Sequence, residues 1–197
     1  TPLLLIIIAG AALYNTAGGQ DFLIERLAKL GASQKAIDPE GLNVIVCGSA
    51  SPLGNDPNRA QACIAVVTPE HFFLFDIGDR APLRIAQGRL PVARLNGIFL
   101  THFHSDHIAG VPSVNMNSWI QGRDSELKVY GPQGVETVVS GFNTAYQLDK
   151  TYRTAHHGAD LLPAATAAMN PITLTPGVAF QMNQVQVYLQ MRNSLGF

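Results

Sequence analysis

The feature that most constrains this chain is an apolar strand that runs directly into a cluster of histidines. The run NGIFLT, residues 96–101, has the composition of a buried strand, and THFHSDHIAG overlaps its end at residues 101–110. In an extended chain, residues two positions apart lie on the same side, so His102 and His104 converge on one point. Asp106 and His107 follow where the backbone turns toward a helix, and we expect their side chains at a second point close to the first.

This cluster predicts a metal site formed by His102, His104, Asp106 and His107. Neutral imidazole and carboxylate suit zinc, and catalytic zinc sites take three protein ligands and leave a position for water. Half of the six histidines of the chain fall in this loop. The alternative is a polar loop whose histidines face solvent. We favour the metal site because the cluster directly follows a buried strand.

The rest of the sequence predicts a layered α/β domain over residues 42–197. Three apolar runs read as strands: LNVIVCG at 42–48, CIAVVT at 63–68 and FFLFDIG at 72–78. Their close succession, with the turn TPEH before the third, favours antiparallel pairing. Helices are predicted at 81–88, at 113–121 and from Val135 to Tyr146, with a strand in ELKVYG at 126–131 and a hairpin in VAFQ and QVQVYLQ. Residues 151–171 are alanine-rich and receive no assignment.

The first residues predict a targeting or anchoring segment. Residues 2–14, PLLLIIIAGAALY, carry no charge. A complete membrane span needs about 20 residues, whereas a signal peptide needs an apolar core of about 7–15. We therefore expect a signal or membrane anchor at 1–19, a linking amphipathic helix at 20–41, and a membrane-anchored or exported protein, periplasmic if bacterial. The alternative is a buried core element in a cytoplasmic protein, which we favour less.

The overall charge favours a small substrate over a nucleic acid. The formal net charge is −1 and the sequence pI is about 6.5. A chain of this kind has no global basic field to attract the phosphate backbone of RNA. We therefore expect a small-molecule ester substrate, consider a nucleic acid partner unlikely, and leave membrane contact open through residues 2–14. The oligomeric state is not predicted.

The two cysteines, Cys47 and Cys63, leave two alternatives open. In an exported chain they can form one disulfide around a short loop, which contributes about 3 kcal/mol to stability. In the cytosol they are two small buried apolar side chains.

The histidine cluster also carries a resemblance to a known family. The motif T-H-x-H-x-D-H of the metallo-β-lactamase superfamily matches Thr101 to His107 without a departure. The segments VCGSASP, NRAQACIAV, FLFDIGDRA and VYGPQG are similar to the branch that contains the tRNA 3′-processing endonuclease and zinc-dependent arylsulfatases, and more closely to its exported or membrane-anchored members. The resemblance implies a four-layer αββα sandwich, of which this chain supplies the N-terminal part.

The resemblance also implies roles for single residues. His102 and His104 would bind one zinc ion, and Asp106 and His107 a second. The two ions would hold a bridging hydroxide, and Asp106 would also orient that hydroxide or accept its proton. Asp76 would orient a metal-binding imidazole through the other nitrogen of its ring. The alternative role of Asp76 is that of a turn residue at the end of a strand.

The sequence departs from the family pattern after its first motif. The family completes its site with a later His, a bridging Asp and a final His, but no His or Asp follows Asp160. We therefore expect a fragment cut at both ends, so that the chain alone lacks a complete site. The alternative is a missing ligand from His156 or His157. Together with Arg153, these two histidines are otherwise interpreted as part of a substrate-facing insertion or as a solvated loop.

Taken with the resemblance, these features predict a zinc-dependent hydrolase that cleaves phosphate or sulfate esters. Three alternatives remain open: a tRNA 3′-processing endoribonuclease, a β-lactam or thioester hydrolase, and a non-catalytic metal-binding fragment. The first of these does not fit an export segment.

Overall fold

Eight strands form the framework of the chain. The computed structural model describes residues 10, 14–16, 18–20, 40–53, 56, 58–175, 177–182 and 185–189. The strands are β1 (Asn43–Gly48), β2 (Cys63–Val67), β3 (Phe72–Phe75), β4 (Gly97–Phe99), β5 (Leu127–Gly131), β6 (Met169–Thr173), β7 (Gly177–Met182) and β8 (Val185–Leu189). The first six form one sheet in chain order, and β7 and β8 form a separate two-stranded sheet.

The direction of each strand follows from the length of its connection. Strands β1, β2 and β3 pair antiparallel, and the short turn Thr68–His71 joins the last two. From β3 onward the pairing is parallel, with Leu74 opposite Ile98 and Ile98 opposite Val129. Parallel neighbours need a crossover connection, and each of these connections contains helix. The carboxyl ends of β3, β4 and β5 therefore lie side by side at the same end of the strands, which is called the carboxyl edge of the sheet.

Among the described residues from 40 onward, five α-helices accompany the sheet. They are α1 (Ala81–Gln87), α2 (Ser105–Ile108), α3 (Val111–Ile120), α4 (Val135–Ala145) and α5 (Gln147–His157), with short 3-10 helices at Val92–Arg94 and Ala164–Thr166. Ile85, Val114 and Val139, from α1, α3 and α4, are buried in one cluster with the sheet residues Leu74 and Ile98. Burial of apolar surface between these helices and one face of the sheet forms the main core.

The opposite face of the sheet is lined by aromatic rings. Phe73, Phe99 and Tyr130 form a second buried cluster there. The rings of Phe99 and Tyr130 are stacked with centroids 4.6 Å apart, and Phe75 stacks on Phe99 at 5.0 Å. Alternate residues of β3 thus pack on opposite faces, as the period of two in a strand requires. The sheet is apolar on both faces, which is typical of the inner layers of a multilayer sandwich.

Most of the predicted elements are confirmed. The three early strands pair antiparallel, the helices at α1, α3 and α4 lie within two residues of their predicted starts, and the terminal hairpin is present as β7 and β8. Two elements in the unassigned stretch were missed. Helix α5 is mostly polar, and β6 contains Pro171, which an edge strand tolerates because one side of its backbone needs no partner.

The N-terminal predictions concern residues that are mostly not described. The chain divides into two units, Thr1–Ile37 and Asp38–Phe197. In the first unit, the backbone N–H of Gln20 donates to the carbonyl of Thr16 at 2.9 Å. The predicted linking helix at 20–41 and most of the apolar run at 2–14 lie outside the described residues. Among the helices that the structure does describe, none has the length and apolarity needed to cross a membrane.

Candidate metal centre

The histidine cluster lies at the carboxyl end of β4, in the middle of the parallel strands. The backbone N–H of Leu100 donates to the carbonyl of Tyr130 at 2.7 Å, which continues the pairing with β5 one residue past the strand. The chain then leaves the sheet, and the N–H of His107 donates to the carbonyl of His104 at 2.9 Å in the first turn of α2. This change from extended chain to helix within six residues gathers the cluster at one edge of the sheet.

The structure brings the four predicted metal ligands together as two pairs. His102 Nε2 lies 3.0 Å from His104 Nδ1, and His107 Nε2 lies 3.5 Å from Asp106 Oδ2. The pairs are adjacent, because the ring centroids of His102 and His107 are 4.0 Å apart. Asp106 is buried and the side chain of His107 is largely buried, so these polar groups are held against the protein and do not extend into solvent.

Asp76, at the end of β3, is the centre of the hydrogen-bond network behind the cluster. His107 Nδ1 donates to Asp76 Oδ2 at 2.8 Å. The backbone N–H and the hydroxyl of Thr101 donate to Asp76 Oδ1 and Oδ2, each at 2.8 Å. Asp76 has a positive φ of 53°, a conformation that Asp adopts more readily than most residues. This turn leaves the carboxylate buried and directed at the next strand.

Close backbone contact holds the end of β3 against residues 101–110, the loop that carries the histidine cluster and is called the metal loop below. The N–H of Ile77 donates to the carbonyl of His107 at 2.7 Å, and the N–H of Gly110 donates to the carbonyl of Ile77 at 2.8 Å. A Cβ atom on Gly78 would overlap the carbonyl oxygen of Asp106. Only glycine fits at position 78 without movement of one of the two segments.

The cluster favours neutral imidazole at His102. Partial burial lowers the pKa of His102 below its usual value, and the neighbouring rings of His107 and His104 lower it further. A metal ligand has to be the neutral form of histidine. The electrostatics of the cluster therefore suit metal binding near neutral pH.

The donor pairs fit zinc in type and spacing. Two ligands of one tetrahedral zinc ion, with bonds of about 2.0–2.1 Å, lie roughly 3.4 Å apart. The separations of 3.0 Å and 3.5 Å are close to this value. Within the described residues, no group of three or more His, Cys, Asp or Glu side chains comes together in an arrangement that could hold a metal ion. Each ion would thus need a further donor in addition to its pair, and the ligand roles remain predictions.

A loop closed by a disulfide, residues 48–62, lies beside the cluster. The structure joins Cys47 and Cys63 in a disulfide at the base of the loop 48–62. Gln61 ties this loop to the end of β3, since its N–H donates to the carbonyl of Asp79 at 3.0 Å and its side-chain oxygen accepts from the N–H of Asp79 at 2.9 Å. The loop is thereby fixed beside the turn that carries Asp76.

Three arginines, one of them within the loop, donate to backbone carbonyls of the same loop. Arg59 Nη2 donates to the carbonyl of Ser49 at 2.8 Å, and Arg80 Nη1 donates to the carbonyl of Asp56 at 3.3 Å. Arg84, in α1, donates to the carbonyl of Asn58. Three guanidinium groups thus lie at the described part of the loop, and one of them, Arg80, is also 3.8 Å from the carboxylate of Asp79.

The predicted substrate-facing residues lie away from these contacts. Arg153, His156 and His157 are in α5, which packs on α4 and on the 3-10 helix at Ala164–Thr166. Arg153 Nε donates to Asp149 of the same helix at 3.1 Å, and the rings of His156 and His157 contact each other with centroids 4.6 Å apart. Among the described residues, no hydrogen bond, ion pair or ring contact joins them to the histidine cluster, and their role in substrate binding stays a prediction.

Sequence reasoning missed the hydroxyl of Thr101 and the close approach at Gly78. The sequence shows Thr101 as the first residue of the motif and Gly78 as the last residue of the apolar run 72–78, without indicating what either residue contacts. The two features that indicate these contacts are Asp76 and Gly78 after β3 and Thr101 after β4. They can be related to each other only once β3 and β4 are known to be neighbours in the sheet.

The sequence of this chain is similar to one protein family and to several proteins named Ribonuclease Z. The family described as Anti-Pycsar protein Apyc1 matches residues 42–190. Ribonuclease Z of Mycobacterium bovis (strain BCG / Pasteur 1173P2) is 34% identical over 138 residues, which cover 68% of this chain and 49% of that protein. Ribonuclease Z of Mycobacterium sp. (strain KMS) is 32% identical over 148 residues, which cover 74% of this chain and 50% of the relative. The chain spans about half the length of the curated relatives it matches.

Solved structures agree in fold. The metallo-β-lactamase fold protein YhfI from Bacillus subtilis has a TM-score of 0.51 and 17% identity, and it is matched over 76% of this chain and 57% of its own. A long form RNase Z from yeast has a TM-score of 0.52 and 16% identity, with 77% of this chain and 21% of that chain covered. At these identities the likeness concerns the fold alone, and it confirms the predicted metallo-β-lactamase fold.

The predicted partners are wrong. The relatives are named Ribonuclease Z, so enzymes that act on RNA share this sequence pattern, which contradicts a small-molecule ester substrate and an unlikely nucleic acid partner. The physical reason for the error is that net charge averages over the whole surface and does not report how charge is distributed locally.

The predicted location is also wrong. The likeness to proteins named Ribonuclease Z overturns it, and no helix among the described residues could cross a membrane. The prediction used the apolar run at 2–14, whose length and composition do not by themselves distinguish a targeting segment from other apolar elements.

Proposed function

Because this chain belongs to the family described as Anti-Pycsar protein Apyc1, and to the tRNA 3′-processing branch of the metallo-β-lactamase superfamily, we propose that the protein is a zinc-dependent hydrolase of RNA phosphodiester bonds. The substrate class we favour is precursor tRNA, cleaved at its 3′ end. The relatives named Ribonuclease Z support this choice.

The observation that carries the proposal is that the two donor pairs lie next to each other. The buried carboxylate of Asp76 accepts from His107 of one pair and is linked through Thr101 to His102 of the other. His102 and His104 would hold one zinc ion, and Asp106 and His107 the other. The spacing within the pairs, 3.0 Å and 3.5 Å, supports one ion for each pair.

The protein side chains have separate tasks in this proposal. When bound, zinc supplies Lewis acidity and makes water nucleophilic at neutral pH. Asp76 keeps the His107 ring in one orientation by accepting from its Nδ1 at 2.8 Å. Asp106, which lies beside His107 and is buried, would accept a proton from the attacking water. The phosphodiester would lie at the open edge of the sheet, above the ends of β3 and β4.

The arginines around the loop 48–62 support RNA as the substrate. Guanidinium groups pair with phosphate oxygens through charge-assisted hydrogen bonds. Arg59, Arg80 and Arg84 already donate to backbone carbonyls, and each guanidinium has five N–H donors, so donors remain for a phosphate. We propose that this loop contacts the RNA backbone next to the cleavage site.

Among the functions predicted from the sequence, we retain the alternative of a tRNA 3′-processing endoribonuclease in place of the hydrolase of small phosphate or sulfate esters. None of the relatives named above is an arylsulfatase, and sulfate esters receive no support from them. A β-lactam or thioester hydrolase would use the same donors, but no contact around the cluster favours such a substrate over a phosphodiester.

The test is cleavage of a precursor tRNA that carries a 3′ trailer, by the full-length protein with zinc. We expect cleavage at the 3′ end of the tRNA body. Asp106→Asn should lower the single-turnover rate by a factor of about 10²–10⁴, the usual effect of losing a general base. Asp160→Asn is the matched control, because Asp160 is an exposed carboxylate in a turn outside the cluster, and it should cleave at the wild-type rate.

Two results would contradict the proposal. One is the absence of cleavage by zinc-loaded wild-type protein whose fold is intact. The other is an Asp106→Asn variant that cleaves as fast as the Asp160→Asn control, which would remove Asp106 from the reaction.

A further inference from the structure

The Thr101 hydroxyl contacts His102 of the cluster and also Asp76, the carboxylate that holds His107. We propose that Thr101 is a positioning residue whose hydroxyl fixes the tautomer of His102, so that the Nε2 atom of that ring presents its lone pair to the site. The inference deepens the proposed function, since it rests on His102 being a zinc ligand through Nε2.

The number of protons on Asp76 and Thr101 sets the direction of each hydrogen bond. An ionised carboxylate accepts hydrogen bonds and cannot donate. The Thr101 hydroxyl therefore donates its only proton to Asp76 Oδ2, at 2.8 Å. The same carboxylate oxygen accepts from His107 Nδ1, also at 2.8 Å. With its proton committed to Asp76, the Thr101 hydroxyl can only accept from any other neighbour.

That other neighbour is His102. Its Nδ1 lies 3.0 Å from Thr101 Oγ1. Because the hydroxyl can only accept, His102 Nδ1 has to carry the proton. A neutral imidazole has one N–H, so Nε2 is left with a free lone pair. This is the nitrogen that lies 3.0 Å from His104 Nδ1, on the side of the proposed metal site.

Asp76 therefore controls both donor pairs through one chain of hydrogen bonds. It acts directly on His107 and through the Thr101 hydroxyl on His102, so both rings are held with Nδ1 protonated and Nε2 free. The backbone N–H of residue 101 donates to Asp76 Oδ1 at 2.8 Å and keeps the carboxylate in place independently of the hydroxyl. Loss of the hydroxyl alone should consequently release His102 and leave His107 unchanged.

The test is the tautomer of each ring in zinc-free protein, measured by long-range ¹H–¹⁵N NMR on ¹⁵N-histidine-labelled full-length protein. The wild type should show His102 and His107 protonated at Nδ1. Thr101→Val keeps the shape of the side chain without the hydroxyl, and it should shift His102 toward the Nε2-protonated form while the His107 signals stay in place. Thr101→Ser restores a hydroxyl and should restore the wild-type pattern.

Zinc affinity gives a second readout on the same variants. Loss of a group that orients a metal-binding histidine lowers metal affinity by about 10–100-fold. We expect a loss of this size for Thr101→Val in a titration with zinc alone, and wild-type affinity for Thr101→Ser. An unchanged His107 signal in Thr101→Val serves as the internal control for folding of the site.

Specific results would overturn the role of Thr101. Wild-type protein with His102 protonated at Nε2 would do so without any variant, even if Thr101→Val did not fold. A Thr101→Val variant with wild-type tautomers and zinc affinity would do so as well. A protein that shows the expected tautomers but cleaves no RNA would overturn the proposed substrate and leave the role of Thr101 intact, so the two failures are distinguishable.

Discussion

Replacing Gly78 by Ala adds one methyl group where the end of β3 passes beneath the metal loop. The new Cβ would overlap the carbonyl oxygen of Asp106 and would lie 2.5 Å from Cβ of Gln61. The hydrogen bonds of Ile77 with His107 and with Gly110, at 2.7 Å and 2.8 Å, limit the movement that could relieve this overlap. The substitution therefore forces the strand end, the loop at Gln61 or the metal loop to shift.

The structure also gives the size of the effect. Overpacking a well-filled site typically costs about 1–3 kcal/mol, and more when backbone atoms have to move. Here one overlapping atom is a backbone carbonyl oxygen, so we expect a loss of at least about 3 kcal/mol in the free energy of unfolding. Zinc affinity should fall as well, because the Asp106 backbone carries one of the proposed donors.

Gly141→Ala is the matched control for this experiment. Gly141 is an exposed position within α4, and a Cβ there would meet nothing within 4 Å. Alanine is a better helix former than glycine, so this variant should gain about 0.5–1 kcal/mol. Urea unfolding followed by the fluorescence of Trp119, the only tryptophan and a buried one, measures both variants. A Gly78→Ala variant as stable as Gly141→Ala would refute the close packing of the strand end against the metal loop.

Two further predictions concern stability away from the cluster. Arg123 is buried and donates to Asn115 Oδ1 at 2.8 Å and to Ser118 Oγ and the Thr166 carbonyl at 3.0 Å, while burial lowers its pKa to about 10. Arg123→Met should therefore lower the free energy of unfolding by about 3 kcal/mol or more, measured in urea, because buried acceptors lose their donors. Arg89→Met, at an exposed position, is the control and should change it by less than about 0.5 kcal/mol. The Cys47–Cys63 disulfide joins residues 16 positions apart, and its reduction by dithiothreitol should cost about 3 kcal/mol. A Cys47→Ala variant should not respond to the reductant, and an equal response of both proteins would contradict a stabilising role for the bond.

The sequence was sufficient to predict the cluster because its information is local. A period of two along NGIFLT and the turn into a helix together bring His102, His104, Asp106 and His107 to one edge of the sheet. The antiparallel order of the first strands was predictable for a similar reason, since a four-residue turn joins β2 to β3. Both predictions depend on distances of a few residues along the chain.

The contacts that organise the cluster are not local and could not be derived in this way. Asp76 meets Thr101 across 25 residues and His107 across 31, and only the parallel pairing of β3 with β4 brings them together. Strand β6 was missed because Pro171 and the polar residues around it lower its strand propensity, while its position at the edge of the sheet makes them acceptable. The partner prediction failed because it used the net charge, which averages over the surface and carries no information on local charge.

We propose that the two donor pairs bind two zinc ions. Anomalous scattering at the zinc absorption edge, from crystals of the full-length protein grown with zinc, shows where the ions bind. We expect two zinc peaks at bonding distances of about 2.0–2.2 Å, one from His102 Nε2 and His104 Nδ1 and the other from Asp106 Oδ2 and His107 Nε2. Zinc peaks bound elsewhere, or a cluster whose four side chains stay bonded to each other in saturating zinc, would contradict the claim.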